Sequence, residues 1–270
     1  MTRRETAGIL AGIGAAALLA STATAHAQPK PQVEFELMTW PEVKAALASG
    51  KTTALIYTGG TEQRGPQAVN GGHTLMAKAT VKAIAEKLGT AIAMPVLPFT
   101  PNTASAQLPG TIGLTNELLA SMLDRIADQA VSTGFKNVIL MGDHGNGQPE
   151  VYRAAAQRLN AKYASRGAHG YYCDDVYTRA NRDVDAWLTK NGFATGSHAG
   201  IADTSEMLYL GGDAWVRKDQ LLQATGRSST SGNGVDGDAR KASAEIGKLV
   251  FDTKVDDAVR QIQGFVGNRQ

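Results

Sequence analysis

Two rhythms of apolar and polar residues run along the chain. Ala54-Leu55-Ile56-Tyr57 and Asn137-Val138-Ile139-Leu140-Met141 are short, nearly unbroken apolar runs, the pattern of strands buried on both faces. Thr90 to Pro98 and Ala168 to Tyr177 read as two further strands. Between them the spacing turns helical. Leu118, Leu119, Met122, Ile126 and Ala130 line one face of a helix that begins at Thr115. Thr39 as N-cap and Pro41 in the first turn start an earlier helix, which runs through Val43 and Leu47 and stops at Gly50. The same reasoning predicts helices over 74–88, 149–166, 178–190 and 238–266, and a short one capped by Asp203-Thr204-Ser205. The residues from 102 to 114 form a long polar loop, and Ser228 to Gly237 a Ser/Gly/Asn-rich one. Strands alternating with helices predict an α/β fold, a three-layer αβα sandwich with a mostly parallel sheet.

The first 27 residues follow neither rhythm. Arg3-Arg4 precede an apolar stretch from Ala7 to Ala20, and Ala25-His26-Ala27 fits a small-x-small cleavage site. This predicts a signal peptide at 1–27, its Arg3-Arg4 pair suggesting the twin-arginine type, with one domain over 28–270 and a periplasmic or secreted protein. Its removal takes two arginines and one glutamate and lowers the net charge from +2 to +1. No basic run then remains to suggest nucleic acid, and no later stretch is apolar enough to stay in a membrane. With 43% hydrophobic and 19% charged residues the composition is that of a folded globular protein. Cys173 is the single cysteine, so no intrachain disulfide exists, and its place in a strand predicts a buried structural thiol.

Candidate chemistry gathers in the glycine-rich turns. Thr58 to His73 leaves the first clear strand and carries Glu62 and His73, a carboxylate and an imidazole that form a mixed O/N donor set for a divalent metal. Gly142-Asp143-His144-Gly145-Asn146-Gly147 leaves another strand, and Gly196-Ser197-His198-Ala199-Gly200 precedes Asp203. Turns at the carboxyl ends of parallel strands lie along one rim, where open α/β sheets bind their ligands. His169, at a strand entry, carries no such expectation.

Taken in order, these segments resemble the creatininase-type amidohydrolases. The carriers are Gly59-Gly60-Thr61-Glu62-Gln63-Arg64-Gly65-Pro66-Gln67 reaching His73, then 142–147, then His198-Ala199-Gly200-Ile201-Ala202-Asp203-Thr204-Ser205, with support from 108–118 and 237–247. The likeness runs from about Trp40 to Gly247. It implies a metal-dependent hydrolase of non-peptide C–N bonds, such as cyclic amides or formamides, acting on a small molecule and forming homo-oligomers. The departures fall on the expected ligands. Arg64 stands where the family has a metal-binding His, His73 where it has a bridging Asp, and Asn146 at a further ligand position.

An arginine stays protonated and cannot bind a cation. The resemblance therefore leaves Glu62, His73 and His144 as ligands of one ion, zinc or manganese. His198 is expected as general acid, and Asp203 as the group that orients it, ligates the metal or caps a helix. Asp143 is an alternative to this pair. Arg64 is expected to anchor an anionic group or stabilise an oxyanion. Alternatives from the same residues are a non-catalytic periplasmic binding protein and a hydrolase, isomerase or lyase of a cyclic keto sugar.

Overall fold

The run at 54–57 becomes β1 (Thr53–Thr58), in which every residue is buried. The structure, a computed structural model, describes residue 1 and residues 32–102, 105–145 and 148–267. Apart from Met1 the expected signal peptide lies outside the described residues, and so does Asn146. β1 pairs in parallel with β2 (Ala91–Ala93) on one side and with β3 (Asn137–Gly142) on the other. β3 in turn pairs in parallel with β4 (His169–Tyr172), giving the order β2-β1-β3-β4.

Alternation along β1 and β3 builds the three layers. Leu55, Tyr57, Ile139 and Met141 pack against one set of helices, among them Val81 and Ile84 of α2 (Gly72–Leu88) and Ala258 and Ile262 of α7 (Ala244–Gly267). Ala54, Ile56, Val138 and Leu140 pack on the opposite side. There they meet Leu119 and Leu123 of α3 (Asn116–Thr133) and Tyr152 and Leu159 of α4 (Gln148–Tyr163). Each large aliphatic side chain buried in this way contributes roughly 1.5–3 kcal/mol. The expected αβα sandwich with a parallel sheet is the fold.

The remaining elements frame the carboxyl rim. α1 (Trp40–Ala48) starts with a capping box between Thr39 and Glu42, as its N-terminal residues predict. α5 is Thr178–Lys190, as expected. α6 is Ile201–Gly211, and β5 (Thr225–Arg227) pairs antiparallel with β6 (Asp236–Asp238). Cys173 is buried beside Ala258, and burial pushes its thiol pKa up, so it stays a protonated structural thiol.

Several boundaries differ from the sequence reading. The second strand stops at Ala93, before the prolines at 95 and 98, and rejoins β1 only through a bridge between Thr58 and Leu97. The fourth strand ends at Tyr172, ahead of a turn holding Asp174 and Asp175. Of the loop expected at 228–237, residues 228–235 connect the β5–β6 hairpin and the last two belong to β6, and the last helix begins at Ala244 rather than at 238. α2 starts at Gly72, which puts His73 on its first turn instead of in the loop.

Candidate metal centre

The strand order places β1 between β2 and β3, so the chain leaves the β1 and β3 ends in different directions and opens a crevice there. Thr58 and Gly142 are partners in the register. The loops that follow them, one carrying Glu62 and the other Asp143 and His144, therefore start side by side. Gly60 lets them touch: a Cβ at this position would lie 2.5 Å from His144 Nε2. α2 returns His73 to the same point, where its ring centroid is 4.0 Å from that of His144.

Glu62, His73 and His144 are all buried, and each offers a ligand atom within 4.8 Å of those of the other two. Glu62 Oε1 lies 2.8 Å from His73 Nε2, and Oε2 accepts a hydrogen bond from Ser105 at 3.0 Å. Thr111 links the same long loop to the backbone of Gln63 and to Ser105. His73 Nδ1, His144 Nε2 and Asp143 Oδ2 have no hydrogen-bond partner among the described residues although buried. Orphaned buried nitrogens beside a carboxylate are what a divalent cation would satisfy. Their electrostatics agree. Burial, reinforced by His73, lowers the pKa of His144 to about 3, which leaves one ring nitrogen with a free lone pair. Burial works against ionisation of Glu62, but His73, His144 and Arg64 outweigh it and hold the carboxyl far below its usual range.

His198 enters from the turn before α6. Its Nε2 is 2.8 Å from the carbonyl oxygen of Gln63. A carbonyl only accepts, so Nε2 carries the proton and Nδ1 is left bare, 3.7 Å from Glu62 Oε1. Burial and the nearby Arg64 lower the pKa of His198, so the neutral ring is favoured. The turn is strained: Ala199 has φ +53°, the single positive value among described non-glycine residues. Asp203 Oδ2 accepts from Ala199 N at 2.8 Å and Gln67 Nε2 donates to Ala199 O at 2.8 Å, which fixes this conformation.

Three expectations are corrected by this geometry. Arg64 is fully buried and does not line the cavity. A guanidinium buried there needs carboxylate partners, and it turns inward to Glu62 (3.2 Å) and Asp203 (2.8 Å), so it does not anchor a substrate anion. Asp203 makes no hydrogen bond to the His198 ring, which Gln63 holds, and acts on the backbone of Ala199 instead. Nor does Asp203 cap α6 as the N-cap residue. Gly200 holds that position, while Asp203 reaches back from the first turn. Burial opposes ionisation of Asp203, but Arg64 prevails and lowers its pKa to about 2.

Sequence reasoning named Asp143 but missed Lys254 and Glu206, which stand with it behind His73. Asp143 accepts a hydrogen bond from Tyr57, lies 4.0 Å from His73 Nδ1 and 3.6 Å from Lys254 Nζ. Lys254 also pairs with Glu206 at 2.7 Å, and all three are buried. The two carboxylates keep Lys254 charged against the cost of its burial. The signal was present in α7, where Lys254 stands at helical spacing between the buried Val250 and Ala258.

A cavity of about 560 Å³ opens over these residues. Its wall includes Asn102, Gln148, Asn181 and Ser197, and Asp203 faces it with a side chain 29% exposed. A parallel α/β sandwich with a buried O/N donor set at its carboxyl rim is the setting of a metal-dependent enzyme. The family profile described as creatininase (creatinine amidohydrolase) matches residues 36–262. The chain belongs to the creatininase family. It is 25% identical over 253 residues to a creatinine amidohydrolase of Pseudomonas putida, covering 83% of this chain and 95% of that protein. It is also 25% identical over 247 residues to a mycofactocin precursor peptide peptidase of Mycobacterium ulcerans, covering 83% and 85%. A solved structure named creatininase Mn superposes with a TM-score of 0.71 at 23% identity, over 86% of this chain and 98% of the other.

Proposed function

We propose that the chain is a hydrolase of non-peptide C–N bonds in small polar molecules, cyclic amides or formamides, working with one divalent ion, zinc or manganese, at Glu62, His73 and His144. The observation that carries this reading is the pair of orphaned ring nitrogens, His73 Nδ1 and His144 Nε2, beside the ionised Glu62. When bound, the ion supplies Lewis acidity toward a water and the scissile carbonyl. His198 Nδ1 faces the site without a proton. It first takes a proton from water and then returns it to the leaving nitrogen. Asp203 stays ionised at neutral pH and supplies negative charge at the cavity wall rather than a proton. Ser105 holds Glu62 so that one oxygen remains turned toward the imidazoles. The polar cavity suits a small substrate with several hydrogen-bonding groups.

The test is metal analysis of the purified chain followed by a panel of cyclic amides and formamides assayed for ring opening or amine release. Copurified zinc or manganese with turnover on the panel supports the reading. If no transition metal copurifies and added Zn²⁺ or Mn²⁺ gives no thermal shift, the reading fails.

The same proposal places the protein in the periplasm or outside the cell, because residues 1–27 have the layout of a cleaved leader. N-terminal sequencing of the exported protein should then begin at Gln28. We also propose a homo-oligomer, from family membership, which light scattering would test.

A further inference from the structure

Arg64 is among the largest fully buried side chains of the described residues, and it does not line the cavity. Its guanidinium lies between two carboxylates, 3.2 Å from Glu62 Oε1 and 2.8 Å from Asp203 Oδ2. The space is kept for it by Gly72, where a Cβ would come within 2.7 Å of Arg64 Cδ. His198 Nδ1 lies 3.7 Å from the same Glu62 oxygen. Two carboxylates and an imidazole thus converge on the place that the guanidinium fills.

The charge balance of the cluster gives this a consequence. Its acids among the described residues are Glu62, Asp143, Asp203 and Glu206, and its permanent cations are Arg64 and Lys254. With the imidazoles neutral, as metal ligation requires, the cluster carries at most two uncompensated negative charges, because burial raises the pKa of Glu206. One divalent ion at Glu62, His73 and His144 neutralises them, whereas a second would leave an excess positive charge in a buried site, which is costly. Asp203 and one oxygen of Glu62 are meanwhile held by Arg64.

We propose that Arg64 is a built-in substitute for a second divalent ion: it occupies the position between Glu62, Asp203 and His198, supplies the positive charge there permanently, and limits the centre to one metal. This rests on the one-metal reading above. Arg64 is a positioning residue, because it reaches the ion and the substrate only through Glu62 and Asp203.

The test counts ions. Wild type, Arg64→His and Arg64→Lys are loaded with Mn²⁺, dialysed and analysed by elemental mass spectrometry, with circular dichroism to confirm folding. The expected counts are one ion per chain for wild type and Arg64→Lys, and two for Arg64→His, which adds a donor and removes the charge. Electron paramagnetic resonance of loaded wild type should show isolated Mn²⁺ and no spin-coupled pair. This measurement decides the matter even if Arg64→His does not fold. A coupled pair in wild type, or a folded Arg64→His that stays at one ion, overturns the substitute role while leaving a metal hydrolase in place. No ion bound by wild type would instead sink the reading on which both stand.

Discussion

His198 donates its Nε2 proton to the carbonyl oxygen of Gln63 at 2.8 Å, which turns a bare Nδ1 toward Glu62 Oε1 at 3.7 Å. The bond joins the turn before α6 to the loop after β1, so the tautomer of the imidazole is set by backbone that also carries a metal-ligand candidate. Replacing His198 by Asn keeps a polar side chain of similar size but removes the proton carrier. The turnover rate should fall by on the order of 10²–10⁴-fold. The bound-metal count should stay at the wild-type value. Steady-state kinetics together with elemental analysis checks this, and a parallel loss of metal would reassign His198 as a ligand.

Gly60 is where the two rim loops meet. An added methyl at 2.5 Å from His144 Nε2 forces one loop away from the other. Gly60→Ala is expected to cost about 1–3 kcal/mol of stability. More tellingly, it should weaken metal binding, because the displaced ring is one of the three donors. Thermal melts with and without Mn²⁺ would show a smaller metal-induced rise in Tm than wild type.

Lys254 holds Asp143 and Glu206 inside the protein. Lys254→Met leaves both carboxylates buried without their cation, and breaking such a pair typically costs about 3–5 kcal/mol. Urea denaturation should register that loss. Adding Glu206→Gln removes one of the stranded charges and should restore part of the stability. A double variant no more stable than the single one would show that Glu206 does not depend on Lys254.

Asp203 makes acid stability measurable. Its folded pKa of about 2 lies below the ordinary 3.8, so the ion pair with Arg64 stabilises the fold fully above pH about 4. That contribution disappears as the pH falls toward 2. In metal-free protein, Asp203→Asn should therefore be less stable than wild type by about 2 kcal/mol at pH 7, with the gap closing between pH 4 and pH 2. A gap that does not change with pH would mean that Asp203 acts through its hydrogen bond to Ala199 alone.

Much of the architecture could be read from the chain because its signals are local. The apolar runs at 54–57 and 137–141 and the caps at Thr39 and Thr115 need no tertiary context. The glycine-rich turns after strands likewise marked Glu62 and His144, and the turn before Asp203 marked His198. The side chains whose roles depend on the fold could not be read in this way. Arg64 in a polar loop looks like a surface or substrate-binding residue, and only burial between two carboxylates turns it inward. Gln63, which sets the orientation of His198, has no distinctive signature, since its effect depends on a turn 135 residues away. Lys254 broke an apolar stripe in α7, but its partners come from β3's exit and from α6.

The parallel register of β1 and β3 has a kinetic side. Glu62 and His73 follow one strand and His144 the other, and the strands pair residue for residue although their partners, Thr53 with Asn137 through Thr58 with Gly142, are far apart in sequence. Parallel pairing over such separations closes late, because the entropy of closing the loop is lost before contacts repay it. Two of the three donors belong to one segment, but the third reaches them only once the central sheet is assembled. High-affinity metal uptake should therefore coincide with the last, sheet-closing phase of refolding, and the ion can serve as a chemical clock for that phase.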